Sequence, residues 1–155
     1  TKVPTVWNFE SGPHGFIHPW TYMDKGSISI ESSYLSWSTT VDQQQEDRLI
    51  VGFDRPVPAP KGVKLHLRST RLHTTLVVYA SDTADNLYRY ESDIVLLPNT
   101  DFVEVNIPFS RLQPNNESMN RISLSRLDRI IVEDQSGRHG STGANEIHIN
   151  QFRVY

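Results

Sequence analysis

The chain contains no cysteine, which excludes disulfide frameworks, thiolate metal sites and thiol nucleophiles together. No apolar run approaches the roughly 20 residues that a membrane-spanning helix requires. No window of a dozen residues keeps the three-to-four spacing of an amphipathic helix either. Basic residues are not in excess: 15 Lys and Arg stand against 18 Asp and Glu, for a net charge of −3. A nucleic-acid partner would require a basic stripe and an anionic lipid surface a polybasic cluster. Neither is present, so no nucleic-acid and no membrane partner is expected.

What remains is a chain of 155 residues, 37% hydrophobic, with nine Pro and eight Gly. That balance suits one loop-rich domain spanning 1–155. Apolar residues recur with period two, the spacing of strands with one face buried. Strands are predicted over Thr5 to Glu10, Ser27 to Ser32, Leu35 to Thr40, Arg48 to Phe53, Gly62 to Ser69, Thr74 to Ser81, Leu87 to Ser92, Asp101 to Ile107, Leu127 to Asp134 and Glu146 to Tyr155. Turn-forming stretches such as "FDRPVPAPKG", "SDTADN", "LLPNTD" and "SGRHGSTGAN" separate them. The long connection "PFSRLQPNNESMNRISLSRLDRI" is read as a loop wrapping an edge, with a helical turn near Phe109 to Leu112. About ten short strands so punctuated predict an all-β fold, an antiparallel β-sandwich of the jelly-roll type.

The alternation also predicts facing. Val63, Leu65 and Leu67 oppose Lys64, His66 and Arg68; Val103, Val105 and Ile107 oppose Phe102, Glu104 and Asn106. "TTLVVYAS" is apolar on both faces, as expected of a central strand whose second face lines a groove. At the C-terminus the alternation slips: Ile147 and Ile149 are in one phase, Phe152 and Val154 in the other. One extra residue at Asn150 or Gln151, a β-bulge, would return both pairs to one core. The predicted core comprises Trp7, Phe9, Ile28, Ile30, Leu65, Leu67, Leu76, Val78, Val103, Val105, Ile130, Val132, Ile147, Ile149, Phe152 and Val154.

Four segments fall in the order and rough spacing of a known pattern: "VWNFESG", "VEVNIPFSRL", "ISLSRLDRIIVEDQSG" and "EIHINQFRVY". Their combination resembles the galactose-binding-like β-sandwiches of non-catalytic carbohydrate-binding modules, family 11 among them. It is also similar to the complex I intermediate-associated protein family. The resemblance implies that the first and last strands lie side by side in one sheet. It further implies a structural calcium ion held where the glutamate after the first strand meets the last strand, positions occupied by Glu10 and Asn150. The resembled pattern has paired aspartates where this chain has Asn150 and Gln151. Neutral amide oxygens there lower the expected calcium affinity.

Sugars present apolar C–H faces and polar edges, so a sugar-binding surface needs flat aromatic rings beside fixed donors and acceptors. Tyr79 is predicted to share an outer face with Lys64, His66 and Arg68, provided their strands are neighbours. Trp37, in the hydroxyl-rich "YLSWSTT", would stack at a groove rim, and Tyr88, Tyr90 and Glu133 complete the candidate ligand set. No pair of carboxylates has a legible glycosidase spacing, and Glu133 and Asp134, adjacent on a strand, point to opposite faces. His14, His18 and His139 lie in loops without metal-ligand spacing.

The reading that follows is a non-catalytic glycan-binding module, monomeric, secreted or at the cell surface, and part of a larger polysaccharide-degrading protein. A protein-interaction or assembly domain of the same fold is the alternative. A jelly-roll lyase using His66, Arg68 and Tyr79 is a third reading.

Overall fold

The computed structural model describes residues 5–7, 19–21, 26–31, 33–42, 46–82, 86–115 and 126–155. In chain order the strands are β1 (Thr5–Trp7), β2 (Trp20–Thr21), β3 (Ser27–Ile30), β4 (Leu35–Val41), β5 (Asp47–Pro58), β6 (Gly62–Ser69), β7 (Thr74–Asp82), β8 (Leu87–Tyr90), β9 (Ile94–Leu96), β10 (Val103–Pro108), β11 (Leu112–Pro114), β12 (Arg126–Asp134) and β13 (Gly143–Val154). The first sheet has the order β10-β6-β13-β4-β3, with β1 also paired to β13; the second has β11-β8-β7-β12-β5-β2, with β9 paired to β7. Every strand pair within the sheets is antiparallel. The predicted helical turn is a 3-10 turn at Phe109–Arg111, where the chain passes from the first sheet to the second with Phe109 buried.

The sheets close over one core. Leu65, Leu67, Leu76, Val78, Ile130, Val132, Ile147, Ile149, Phe152 and Val154 are all at most 1% exposed. At roughly 1.5–3 kcal/mol for each fully buried large aliphatic or aromatic side chain, this interior is the main force closing the sandwich. At one end the interior is polar, and its hydrogen bonds cross between the sheets. Trp37 Nε1 on β4 donates to Asp47 Oδ2 on β5 at 3.2 Å, and Thr39 Oγ1 on β4 donates to Asp134 Oδ2 on β12 at 3.2 Å. Directional bonds between apolar layers fix how the two sheets are aligned. Gly26 abuts this cluster; a Cβ there would lie 2.3 Å from Asp47 Oδ2 and 2.7 Å from the Ser38 carbonyl oxygen.

The C-terminal slip is a bulge, as expected: the β13–β6 register shifts between Ile149 and Gln151. The topology gives a reason. On its other edge β13 pairs with β4 up to Ile149 and with β1 from Phe152. The extra residue falls where one neighbour ends and the next begins. The first and last strands are indeed adjacent, Thr5 opposite Val154 and Trp7 opposite Phe152.

Three expectations need correction. Val103 is 43% exposed and Val105 only partly buried, because β10 is the edge of its sheet; Ile30, on the opposite edge strand β3, is 41% exposed. β5 continues through the proline-rich stretch read as a turn, and opposite it β12 carries a second register shift between Leu127 and Arg129. Leu127 and Ile130 are both fully buried, so the same phase slip seen at the C-terminus marks this position too. Strands β2, β9 and β11 were not predicted; each is only two or three residues long, too short to show a period. The predicted core position Phe9 lies outside the described residues.

Candidate functional site

The outward face of the second sheet is organised in rows by register. Gln113, Arg89, Tyr79, Ile131, Ile50 and Trp20 are successive cross-strand partners on β11, β8, β7, β12, β5 and β2. At about 4.8 Å per strand this row spans roughly 24 Å. The row beside it runs from Val77 through Glu133 to Arg48. β7 is central, as its two-sided apolar pattern predicts. Its outward residues Val77 and Tyr79 sit beside Ile131 and Ile50, and all but Tyr79 are at most 7% exposed. The floor of this face is therefore apolar and closed to solvent at Val77, Ile131 and Ile50, and solvent reaches the row at half-buried Tyr79, at Arg89 and at Gln113.

Charge is arranged around that floor. Arg48 Nε binds Glu133 Oε2 at 2.6 Å, and Glu133 is 2% exposed. Gln135 Nε2 donates to the other oxygen of the same carboxylate. Glu46 joins Arg48 (3.6 Å) to Arg138 (2.8 Å). Burial works against the charge of Arg48, but the Glu133 carboxylate more than offsets it, so its pKa lies above the ordinary arginine value. Burial, with Glu133 next, likewise raises the Tyr79 phenol above its usual value. Tyr79 therefore stays a neutral hydroxyl, across the strand pair from Arg89, whose guanidinium binds Asp93 Oδ1 at 3.0 Å. Glu133 itself offers little to a ligand, because both its oxygens are engaged; it holds Arg48 in place.

The sequence-predicted site residues do not form one cluster. Tyr79 and Glu133 lie on the second sheet, whereas His66 and Arg68 lie on β6 of the first. The turn between β6 and β7 crosses from one sheet to the other, so their alternation could not bring them together. Buried Asn145 pins that turn, its Oδ1 accepting from the backbone N–H groups of Arg71 (3.1 Å) and Leu72 (3.2 Å) and its Nδ2 donating to Ser69 Oγ and Thr74 Oγ1. Trp37 is a core residue, 0% exposed and bonded to Asp47, not a rim platform. Tyr88 and Tyr90 also face inward, at 2% and 6% exposure. Their strand partners are Ala80 and Leu112, which belong to the core.

On the first sheet His66 Nε2 lies 3.3 Å from Glu104 Oε2 across the β6–β10 pair. Arg68 Nε donates to Nδ1 of His148 at 2.9 Å, and His148 Nε2 lies 2.9 Å from Glu146 Oε1. Ser36 Oγ donates to the same oxygen. The Ser36 and His148 hydrogen bonds hold the Glu146 carboxyl below its ordinary range. Sequence reasoning missed His148, Arg48 and Arg89. Each alternates out of phase with the core residues of its strand, which was the available signal.

Of the expected calcium ligands, Glu10 lies outside the described residues. Asn150, at the bulge, has its side-chain oxygen Oδ1 buried without a hydrogen-bond partner among the described residues. Among the described residues no group of three or more His, Asp or Glu side chains converges as a metal site, and no helix is long and apolar enough to cross a membrane.

No protein-family model and no curated protein matches the sequence. Solved structures do match its fold. A variant of a family 29 carbohydrate-binding module in complex with cellulohexaose is 13% identical, with a TM-score of 0.63 over 97% of this chain and 91% of that one. The family 11 carbohydrate-binding module of a cellulosomal cellulase of Clostridium thermocellum is 10% identical, with a TM-score of 0.64 over 99% and 95%. A crystal structure of an agarase is 12% identical, with a TM-score of 0.68, and the match covers 96% of this chain but 24% of the agarase. At these identities the likeness shows the fold, the β-sandwich of carbohydrate-binding modules.

Proposed function

We propose that this domain is a non-catalytic module that binds a neutral glycan chain across the outward face of the second sheet. The observation that carries this reading is the solvent-reachable row of Gln113, Arg89 and Tyr79, cross-strand neighbours on β11, β8 and β7. An elongated ligand lying along such a row meets a tyrosine ring for stacking, with Arg89 and Arg48 on either side to donate to its hydroxyls. The fold likeness to modules of this class, one of them holding cellulohexaose, supports the reading. Among the described residues, Glu133 does not serve as the free carboxyl that a glycosidase places beside the scissile bond, because it is shut in an ion pair. Binding of this kind would tether a catalytic partner to its polysaccharide and raise its local concentration there. That role fits a secreted or cell-surface protein with the module as one part; the fold match covers 24% of the agarase chain.

Affinity electrophoresis through gels containing soluble glycans tests this. Retardation by at least one neutral polysaccharide, lost in Tyr79→Ala, is the expected result. Mobility unaffected by every glycan would refute it and favour a protein-binding role for the same face.

The same proposal extends to one structural calcium ion held by Asn150 and Glu10. The orphaned Asn150 oxygen fits a hard oxygen-seeking cation. When bound, the ion would neutralise the glutamate and satisfy the amide at the bulge. Thermal unfolding should then shift upward with millimolar calcium and return with chelator, and the response should vanish in Asn150→Ala. Equal unfolding temperatures with calcium and with chelator would remove the ion from the account.

A further inference from the structure

Arg68 sits on the outward face of the first sheet, away from the proposed glycan row. The strand order places Phe102, which leads into β10, on one side of it and His148 and Tyr34 on the other. Its guanidinium carbon lies 4.4 Å from the Phe102 ring centroid and 5.6 Å from that of Tyr34. Tyr34 in turn packs on the His148 ring at 4.3 Å. His148 is 6% exposed and takes the Arg68 Nε–H at Nδ1, which puts the ring proton on Nε2, toward Glu146. These contacts hold the guanidinium plane by its faces and by one edge. The terminal N–H pair has no hydrogen-bond or ionic partner among the described residues.

Arg68 lines a cavity of about 270 Å³ together with Ser69, Thr70, Asn99, Thr100 and Asp101. The cavity is at the small end for ligand pockets, which begin near roughly 300 Å³, so it suits one ring rather than a chain. Its rim is prearranged. Asn99, in the left-handed region at φ 58°, donates its backbone N–H to the Ser69 carbonyl, and Thr100 Oγ1 donates to the Leu97 carbonyl. The Thr70 hydroxyl is likewise tied, to the Glu146 carbonyl. Asp101 has no such partner among the described residues and is exposed.

We infer that this cavity is a second, separate binding site, for a single carboxylate-bearing sugar, a hexuronate residue. A carboxylate meets the terminal fork of Arg68 with two parallel N–H···O bonds, the geometry in which arginine outperforms any neutral partner. Asp101 accepts hydroxyl protons from the same ring and, being negative, orients the sugar with its carboxylate toward Arg68. The inference rests on the glycan-binding reading of the fold but on a different face and different residues, so the two can fail independently.

Amide chemical shifts of the wild-type domain should be followed during titration with trimers of galacturonate, glucuronate and mannuronate, and with cellotriose as the neutral control. At least one uronate trimer should move Thr70, Thr100, Asp101 and Phe102, with an affinity that falls as salt is raised. Arg68→Gln should weaken that trimer at least tenfold, and Tyr79→Ala should leave it unchanged. If no uronate shifts these amides, if cellotriose shifts them equally, or if a folded Arg68→Gln binds as wild type does, the site is not what we infer.

Discussion

Replacing Trp37 by phenylalanine distinguishes a core residue from a ligand platform. The substitution keeps an aromatic ring between the sheets but removes the indole N–H that reaches Asp47 Oδ2 at 3.2 Å. Asp47 is 3% exposed, and withdrawing a donor from a buried carboxylate costs about 1.5–3 kcal/mol. The smaller ring leaves a void worth about 1 kcal/mol more. The sum, about 3 kcal/mol, is a large part of the 5–15 kcal/mol typical of a domain. With a urea m-value of about 2 kcal/mol/M, the unfolding midpoint followed by circular dichroism should fall by about 1–2 M. Glycan retardation of the folded variant should match wild type. An unchanged midpoint with retardation abolished would refute this and return Trp37 to the ligand surface.

Other outcomes follow from the same geometry. Asn145→Ala strands the Arg71 and Leu72 amides at the turn between the sheets and should lower stability by about 2–4 kcal/mol in urea unfolding. Gly26→Ala forces a Cβ against Asp47 and the Ser38 carbonyl and should destabilise by more than 1 kcal/mol in the same assay. Burial raises the Asp134 carboxyl above its ordinary value despite hydrogen bonds from Ser136 and Thr39. A raised folded pKa stabilises below the unfolded value of about 4 and loses that contribution as pH rises through the folded pKa. Relative to Asp134→Asn, wild type should therefore lose stability as pH is raised from about 4 toward neutral; parallel pH profiles would contradict this. Tyr79→Ala should weaken a neutral oligosaccharide about tenfold by calorimetry, as expected for one stacking ring worth about 1.4 kcal/mol.

The bulge at Asn150 was legible because it leaves a mark in the residues themselves: two apolar pairs in opposite phase that must enter one core. The equivalent mark at Leu127 and Ile130 was equally present. The position of Trp37 was legible too, since it shares its phase with Leu35, and both are at most 1% exposed; the serines and threonines around it are mostly the outward-facing alternates. Alternation tells which face a side chain takes within a strand, but not which strands are neighbours. That is why Arg68 and Tyr79, eleven residues apart, were expected together and stand on opposite sheets. Edge position is similarly invisible, so Val103 carried a core pattern into solvent. Arg48 escaped notice because its significance lies in Glu133, 85 residues away.

The most direct test of the central claim is amide shift mapping with a neutral oligosaccharide that retards the domain. Changes should be concentrated at Gln113, Arg89 and Tyr79, with the Arg68 face silent. Changes confined to the first sheet, or none along that row at saturating ligand, would contradict it.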